Sequence, residues 1–180
     1  AEVFVATALP SGRMVAVKVL NAALAATAGA AERFRREAEL ISLVAHPNVV
    51  AIQDYGTDAD GAPFMVMELL TGESLGERLA REPLPPRTVL RLGLQICEGL
   101  AAAHERGIIH RDIKPDNLFL VEGPEPGSPT VKILDLGIAK IFVGTATAPG
   151  LTTQGTVIGT PEYMSPEQAS AGSVGPASDV

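Results

Sequence analysis

The chain opens with β-branched runs, VFVATAL and RMVAVKVL, joined by PSG, which read as a hairpin with Pro10 and Gly12 in the connection. Along the second run a period of two sets Val15, Val17 and Val19 on one face and Met14, Ala16 and Lys18 on the other. The period then changes. In AERFRREAELISLVAH the residues Phe34, Leu40, Ile41 and Val44 follow helical spacing, and Glu37 falls inside that apolar stripe. NVVAIQDYG and APFMVMELL read as further strands, divided by a polar turn around Asp58, Asp60 and Gly61.

After TGES helices take over. A short one is predicted over Ser74 to Ala80, and a long one from about Pro86 to Arg106 with Val89, Gly93, Ile96, Cys97 and Leu100 on one face. NLFLV and TVKIL form a second short hairpin across EGPEPGSP, an exposed Pro/Gly-rich turn. From Gly137 to Ser165 a Thr- and Gly-rich stretch shows no sustained period, and loops of that length are usually functional or disordered. The expected class is α+β: a small, mostly antiparallel N-terminal sheet with one helix, then a mainly helical part, divided near Leu70 to Gly72.

Composition narrows the function. At 180 residues and 46% hydrophobic the chain can bury a substantial core. A net charge of -7 and the lack of a basic patch argue against nucleic acid or an anionic membrane as partner. Nucleotide binding stays open, because one or two placed cations and a metal suffice. Cys97 is the single cysteine, so no internal disulfide forms, which fits a reducing, cytoplasmic setting; at helical spacing among apolar residues it reads as core rather than nucleophile. The sequence contains no signal-peptide pattern and no uninterrupted apolar run of about 18 residues, so no membrane contact is expected within it. A parent protein anchored through other segments remains compatible with this. Zinc is disfavoured, since one Cys and the scattered His46, His104 and His110 lack ligand spacing.

The densest chemistry is HRDIKPDNLFL, where His110, Arg111, Asp112, Lys114, Asp116 and Asn117 lie between apolar GII and LFL. Ionisable groups at the mouth of a core cost free energy, which marks a candidate functional site. Alone, a strand Lys is usually a surface Lys and a Glu in a helix stripe a rim residue. The order of VAVK, the stripe Glu37, HRDIKPDN, DLG and GTPEYMSPE changes that: it resembles the signature set of protein kinases, most closely the bacterial serine/threonine kinases of eukaryotic type. The resemblance spans nearly the whole chain.

That resemblance implies a bilobal fold and transfer of the γ-phosphate of ATP to a protein serine or threonine. Phosphoryl transfer spreads negative charge over oxygens, so cations and an oriented hydroxyl are needed. Asn117 and Asp135 would be the Mg²⁺ ligands, oxygen donors suited to a hard cation. Lys18, held by Glu37, would bind the α- and β-phosphates; Asp112 would orient or deprotonate the hydroxyl, and Lys114 would neutralise the transferring group. Ala16 would pack on adenine, with Met67 as gatekeeper and the backbone of Glu68 and Leu70 as hinge. His110 and Asp116 fit structural roles better than catalytic ones. Arg111 before Asp112 suggests control by a phosphothreonine at Thr152, Thr153 or Thr156, placed there by a second kinase copy; Thr160 resembles instead the threonine that contacts Asp112 and Lys114.

The sequence also departs from the pattern. Leu136 stands where the metal-binding triplet has Phe, and Ser165 where the closing motif has Ala. Among 18 glycines no two are separated by a single residue, so these 180 residues contain no G-x-G, and the Gly-rich lid expected ahead of AEVFVA is not among them. Asp179, in the final SDV, resembles the aspartate that braces the catalytic loop. The expectation is therefore a kinase domain truncated at both ends, with 1–70 an N-lobe lacking the Gly-rich loop and 71–180 the first part of a C-lobe, poorly stable and nearly inactive as isolated. A catalytically dead scaffold and a small-molecule phosphotransferase are the alternatives; GTPEYMSPEQ, a peptide-positioning segment, disfavours the second.

Overall fold

A computed structural model describes residues 2–20, 30–125, 128–136, 161–170 and 172–180. Strands β1 (Glu2–Ala8), β2 (Arg13–Val19), β3 (Ile52–Thr57) and β4 (Pro63–Glu68) form an antiparallel sheet in the order β1-β2-β4-β3. The β1–β2 connection closes on Gly12, whose φ of +72° suits a residue without a Cβ and whose N–H donates to the Ala8 carbonyl. The β3–β4 turn is an Asx turn in which the Asp58 carboxylate accepts from the Asp60 and Ala62 N–H groups at 2.9 and 2.8 Å.

Helix α1 (Ala30–Ser42) packs under this sheet through Phe34, Ala38 and Ile41, all nearly inaccessible. Leu40, predicted in the buried stripe, is 41% exposed, and Ala38 takes its place. Positions 34, 38 and 41 share one side of a 3.6-residue repeat and position 40 lies off it.

The helical part also holds a sheet. β5 (Gly72–Ser74), β6 (Leu118–Glu125) and β7 (Ser128–Ile133) pair antiparallel in that order. The β6–β7 hairpin was expected, whereas β5, three residues long, has too short a period to read. Helix α2 (Leu75–Arg81) starts at a capping box in which Ser74 and Glu77 satisfy each other's backbone N–H. Helix α3 (Pro86–His104) starts at Pro86 as expected, but its buried stripe is Leu92, Gly99, Leu100 and Ala103, with Ile96 packed against the core. Val89 and Cys97 are exposed, a correction to the predicted face. The helix is rotated because Gly99 must meet the β7 side: a Cβ there would come within 2.8 Å of Ile133 Cδ1 and 3.2 Å of the Asn48 carbonyl.

One core spans both sheets, from Phe34, Ile41 and Met65 to Leu118, Val131, Ile133 and Leu136. Val49 and Val50, predicted within β3, lie before it and join the second sheet instead. Val49 forms a parallel bridge with Ile133, the Val50 N–H donates to the Ile133 carbonyl, and the Ile133 N–H to Asn48. Buried Asn48 completes the strap, donating at 2.9 Å to both the Val131 carbonyl and Gln95 Oε1. Among the described residues no helix is long and apolar enough to cross a membrane.

Candidate active site

Antiparallel register explains most of the site. Leu118 faces Ile133, so Asn117 and Leu134 meet where β6 begins and β7 ends, and the Leu134 N–H donates to the Asn117 carbonyl at 2.9 Å. The Leu134 carbonyl in turn accepts from His110 Nε2 at 2.8 Å. Leu134 is thus clamped to the HRDIKPDN loop on both sides, and Asp135 follows directly. Asp135 has a φ of +54°, a conformation that costs a residue with a Cβ and persists only where neighbours over-determine it. Leu136, the residue that stands where the triplet has Phe, is 1% exposed and belongs to the core.

The residues of the HRDIKPDN loop come together. Asn117 Nδ2 donates to the Asp112 carbonyl at 2.7 Å and to its carboxylate at 3.0 Å. Lys114 Nζ lies 3.4 Å from the same carboxylate. Asp116 stands apart, exposed, with its carboxylate against Gly76 in the first turn of α2, where the helix dipole favours negative charge.

Both nitrogens of His110 are engaged with backbone. Nε2 faces the Leu134 carbonyl and Nδ1 accepts the Asp112 N–H at 3.2 Å, which requires the neutral Nε2–H tautomer. Burial lowers its pKa, and the opposing pull of the Leu134 carbonyl and of the Asp179 and Asp112 charges does not overcome that. A general-base role is therefore closed to it. Beneath the loop, the buried Asp179 carboxylate accepts from the His110 N–H at 2.8 Å, the Arg111 N–H at 2.7 Å and His104 Nε2 at 2.7 Å.

From the first sheet, Lys18 reaches across to form an ion pair with the Asp135 carboxylate. Ala16 and Met67 are direct cross-strand partners on β2 and β4, so the positions expected against adenine are adjacent. The Glu68 N–H is taken by the Ala51 carbonyl, and its carboxylate accepts from the Ala51 N–H at 2.8 Å and from Lys132 Nζ at 2.7 Å. Leu70 lies half-buried just after β4. Glu37 sits on α1 between buried Phe34 and Ile41, but its side chain lies outside the described residues, and so does the expected Lys18–Glu37 pair. Thr152, Thr153, Thr156 and Thr160 lie outside them too.

The donor set fits Mg²⁺. With the Asn117 N–H groups spent on Asp112, its remaining side-chain donor is an oxygen, and Asp135 supplies a carboxylate. One or two such protein ligands beside substrate phosphates are what this ion takes. Among the described residues no cluster of three or more His, Cys, Asp or Glu could hold a metal.

Sequence reading missed Lys132, Gln95 and Gln168. Lys132 and Gln95 bond groups remote in sequence, but Gln168 left a trace in the S-x-x-Q spacing of a capping box after the long loop.

Residues 1–180 match the protein kinase domain family. Serine/threonine-protein kinase pkn2 of Myxococcus xanthus is 47% identical over 179 residues, 99% of this chain and 21% of that protein. Serine/threonine-protein kinase PknB of Mycobacterium tuberculosis is 39% identical over 183 residues, 99% of this chain and 28% of that protein. The crystal structure of the Mycobacterium tuberculosis PknI kinase domain superposes with a TM-score of 0.69 at 26% identity, covering 98% of this chain and 63% of that one. The chain thus spans less than a third of these two curated relatives. It belongs to the protein kinase domain family, in the bacterial branch of eukaryotic-type serine/threonine kinases.

Proposed function

We propose that this domain transfers the γ-phosphate of Mg·ATP to serine or threonine hydroxyls of a protein. The observation that carries the reading is the Asp112 carboxylate, held by Asn117 and Lys114 on a loop that hydrogen bonds through Leu134 to the segment bearing Asp135. Asp112 orients the attacking hydroxyl and takes its proton, while Lys114 offsets charge on the transferring group. Lys18 exchanges its Asp135 partner for the α- and β-phosphates, and Ala16 and Met67 contact the adenine, with Glu68 and Leu70 presenting hinge backbone. Mg²⁺, held by Asn117 and Asp135 when bound, screens the phosphate charge.

The same reading divides the domain near 70–72, with 1–70 an N-lobe and 71–180 belonging to the C-lobe. It puts the domain in the cytoplasm, where ATP is found, and it includes phosphorylation of Thr152, Thr153 or Thr156 by a second copy, supported by Arg111 preceding Asp112. The test is labelled-phosphate transfer from Mg·ATP to a generic protein substrate by the full-length protein. Asp112→Asn should lower the rate by about 10²–10⁴-fold. Equal incorporation by variant and wild type would remove Asp112 from the mechanism.

A further inference from the structure

We infer that Gln168 is a positioning residue for phosphotransfer, fixing the peptide plane from which the Asp112 side chain springs; the inference rests on the function proposed above. Arg111 has a φ of +64°, unfavourable for a side-chain-bearing residue, so the turn into Asp112 must be held by its surroundings. Its N–H is held by Asp179 Oδ1 at 2.7 Å. The next peptide unit, Arg111 to Asp112, is gripped at both ends. Its N–H donates to His110 Nδ1 at 3.2 Å, and its carbonyl accepts from Gln168 Nε2 at 2.7 Å. Rotation of that plane swings the Asp112 carboxylate away from the hydroxyl it must meet, and an ångström-scale misplacement is costly in rate.

The choice of glutamine carries the argument. Gln168 closes helix α4 (Pro166–Ala169) in a capping box, its Oε1 accepting the Ser165 N–H at 3.1 Å while its own N–H donates to Ser165 Oγ at 3.4 Å. A glutamate would serve that cap equally well. Only the bond to Arg111 requires an amide, because a carboxylate cannot donate and would set an anionic oxygen against a carbonyl oxygen. The half-buried Gln168 thus joins the segment that follows the long Thr/Gly-rich stretch to the catalytic loop through one side chain.

The experiment compares wild type, Gln168→Glu, Ser165→Ala and Asp112→Asn in the full-length protein, measuring kcat, the KM for ATP and thermal unfolding. Gln168→Glu should lose on the order of tenfold in kcat, with KM for ATP within about twofold and a cooperative melt. Ser165→Ala weakens the cap but leaves the Arg111 bond, so its kcat should stay within about twofold of wild type. Provided Asp112→Asn is inactive, the inference alone is overturned by a wild-type kcat in Gln168→Glu, by an effect confined to KM, by equal losses in Gln168→Glu and Ser165→Ala, or by a non-cooperative melt. Full activity in Asp112→Asn overturns the phosphotransfer reading and this inference with it.

Discussion

The two sheets of this domain contribute to one site under different physical conditions. In the four-stranded sheet, β1 leaves Val3, Phe4 and Val5 49–63% exposed, and because successive side chains point to opposite faces, the edge strand beside Lys18 is open on both. In the three-stranded sheet, Leu118, Leu120, Val131 and Ile133 are all at or below 6% exposure. Asn117 and Asp135 leave the ends of that buried hairpin, whereas Lys18 meets Asp135 across the space between the sheets. The side of the site bearing Asn117 and Asp135 is anchored in buried strands, whereas Lys18 reaches it from the more exposed sheet. Ile133→Ala is the strongest way to break this contrast. It should cost about 2–5 kcal/mol in denaturant unfolding. Val5→Ala should change stability by no more than about 0.5 kcal/mol. Similar losses at both positions would mean that the sheets are equally anchored.

The strap at 48–51 sharpens the contrast, because it is how the first sheet borrows order from the second. Asn48 donates to the Val131 carbonyl and to Gln95 Oε1, which also accepts the Val131 N–H at 2.8 Å. Asn48→Ala strands a buried carbonyl and should cost about 1–3 kcal/mol. Hydrogen exchange should then rise more in β3 and β4 than in β6 and β7. A uniform rise would show that the strap serves the core as a whole.

How much of this was legible depends on whether a signal is local. Hairpins, the Pro86 helix start and the HRDIKPDN loop are written in contiguous residues, so the β6–β7 hairpin and the clustering of Asp112, Lys114 and Asn117 could be anticipated, though not the register that sets Leu118 opposite Ile133. The exposed Cys97 and Leu40 could not. An apolar residue near a helical stripe is assigned to it by spacing, and only the close approach of Gly99 to Asn48 and Ile133 sets the rotation of α3. Val49 and Val50 were misread because a β-branched run does not say which sheet it joins. Gln168 escaped as a site residue because half of its role, the cap, is local, and the other half is a carbonyl distant in sequence.

The smallest effect lies at the junction of the buried hairpin and the HRDIKPDN loop, in the titration of His110. Its side chain is fully buried, and burial lowers its pKa against the raising influence of the Leu134 carbonyl, Asp179 and Asp112. In the unfolded chain the imidazole takes up a proton as pH falls below about 6.5. The folded state resists that proton, since Nδ1 would have to donate toward the Asp112 N–H it now accepts from. More protons are then bound in the unfolded state, so stability declines with falling pH, beginning near the unfolded value and ending at the lower folded one. Unfolding midpoints at pH 7.5 and 5.5 should differ in that direction. His110→Gln keeps one donor and one acceptor without titrating, and should flatten the dependence in this window, above the range of ordinary carboxylates. If the variant keeps the wild-type slope, the acid sensitivity lies elsewhere, and the tie between β7 and the loop is not what protonation strains.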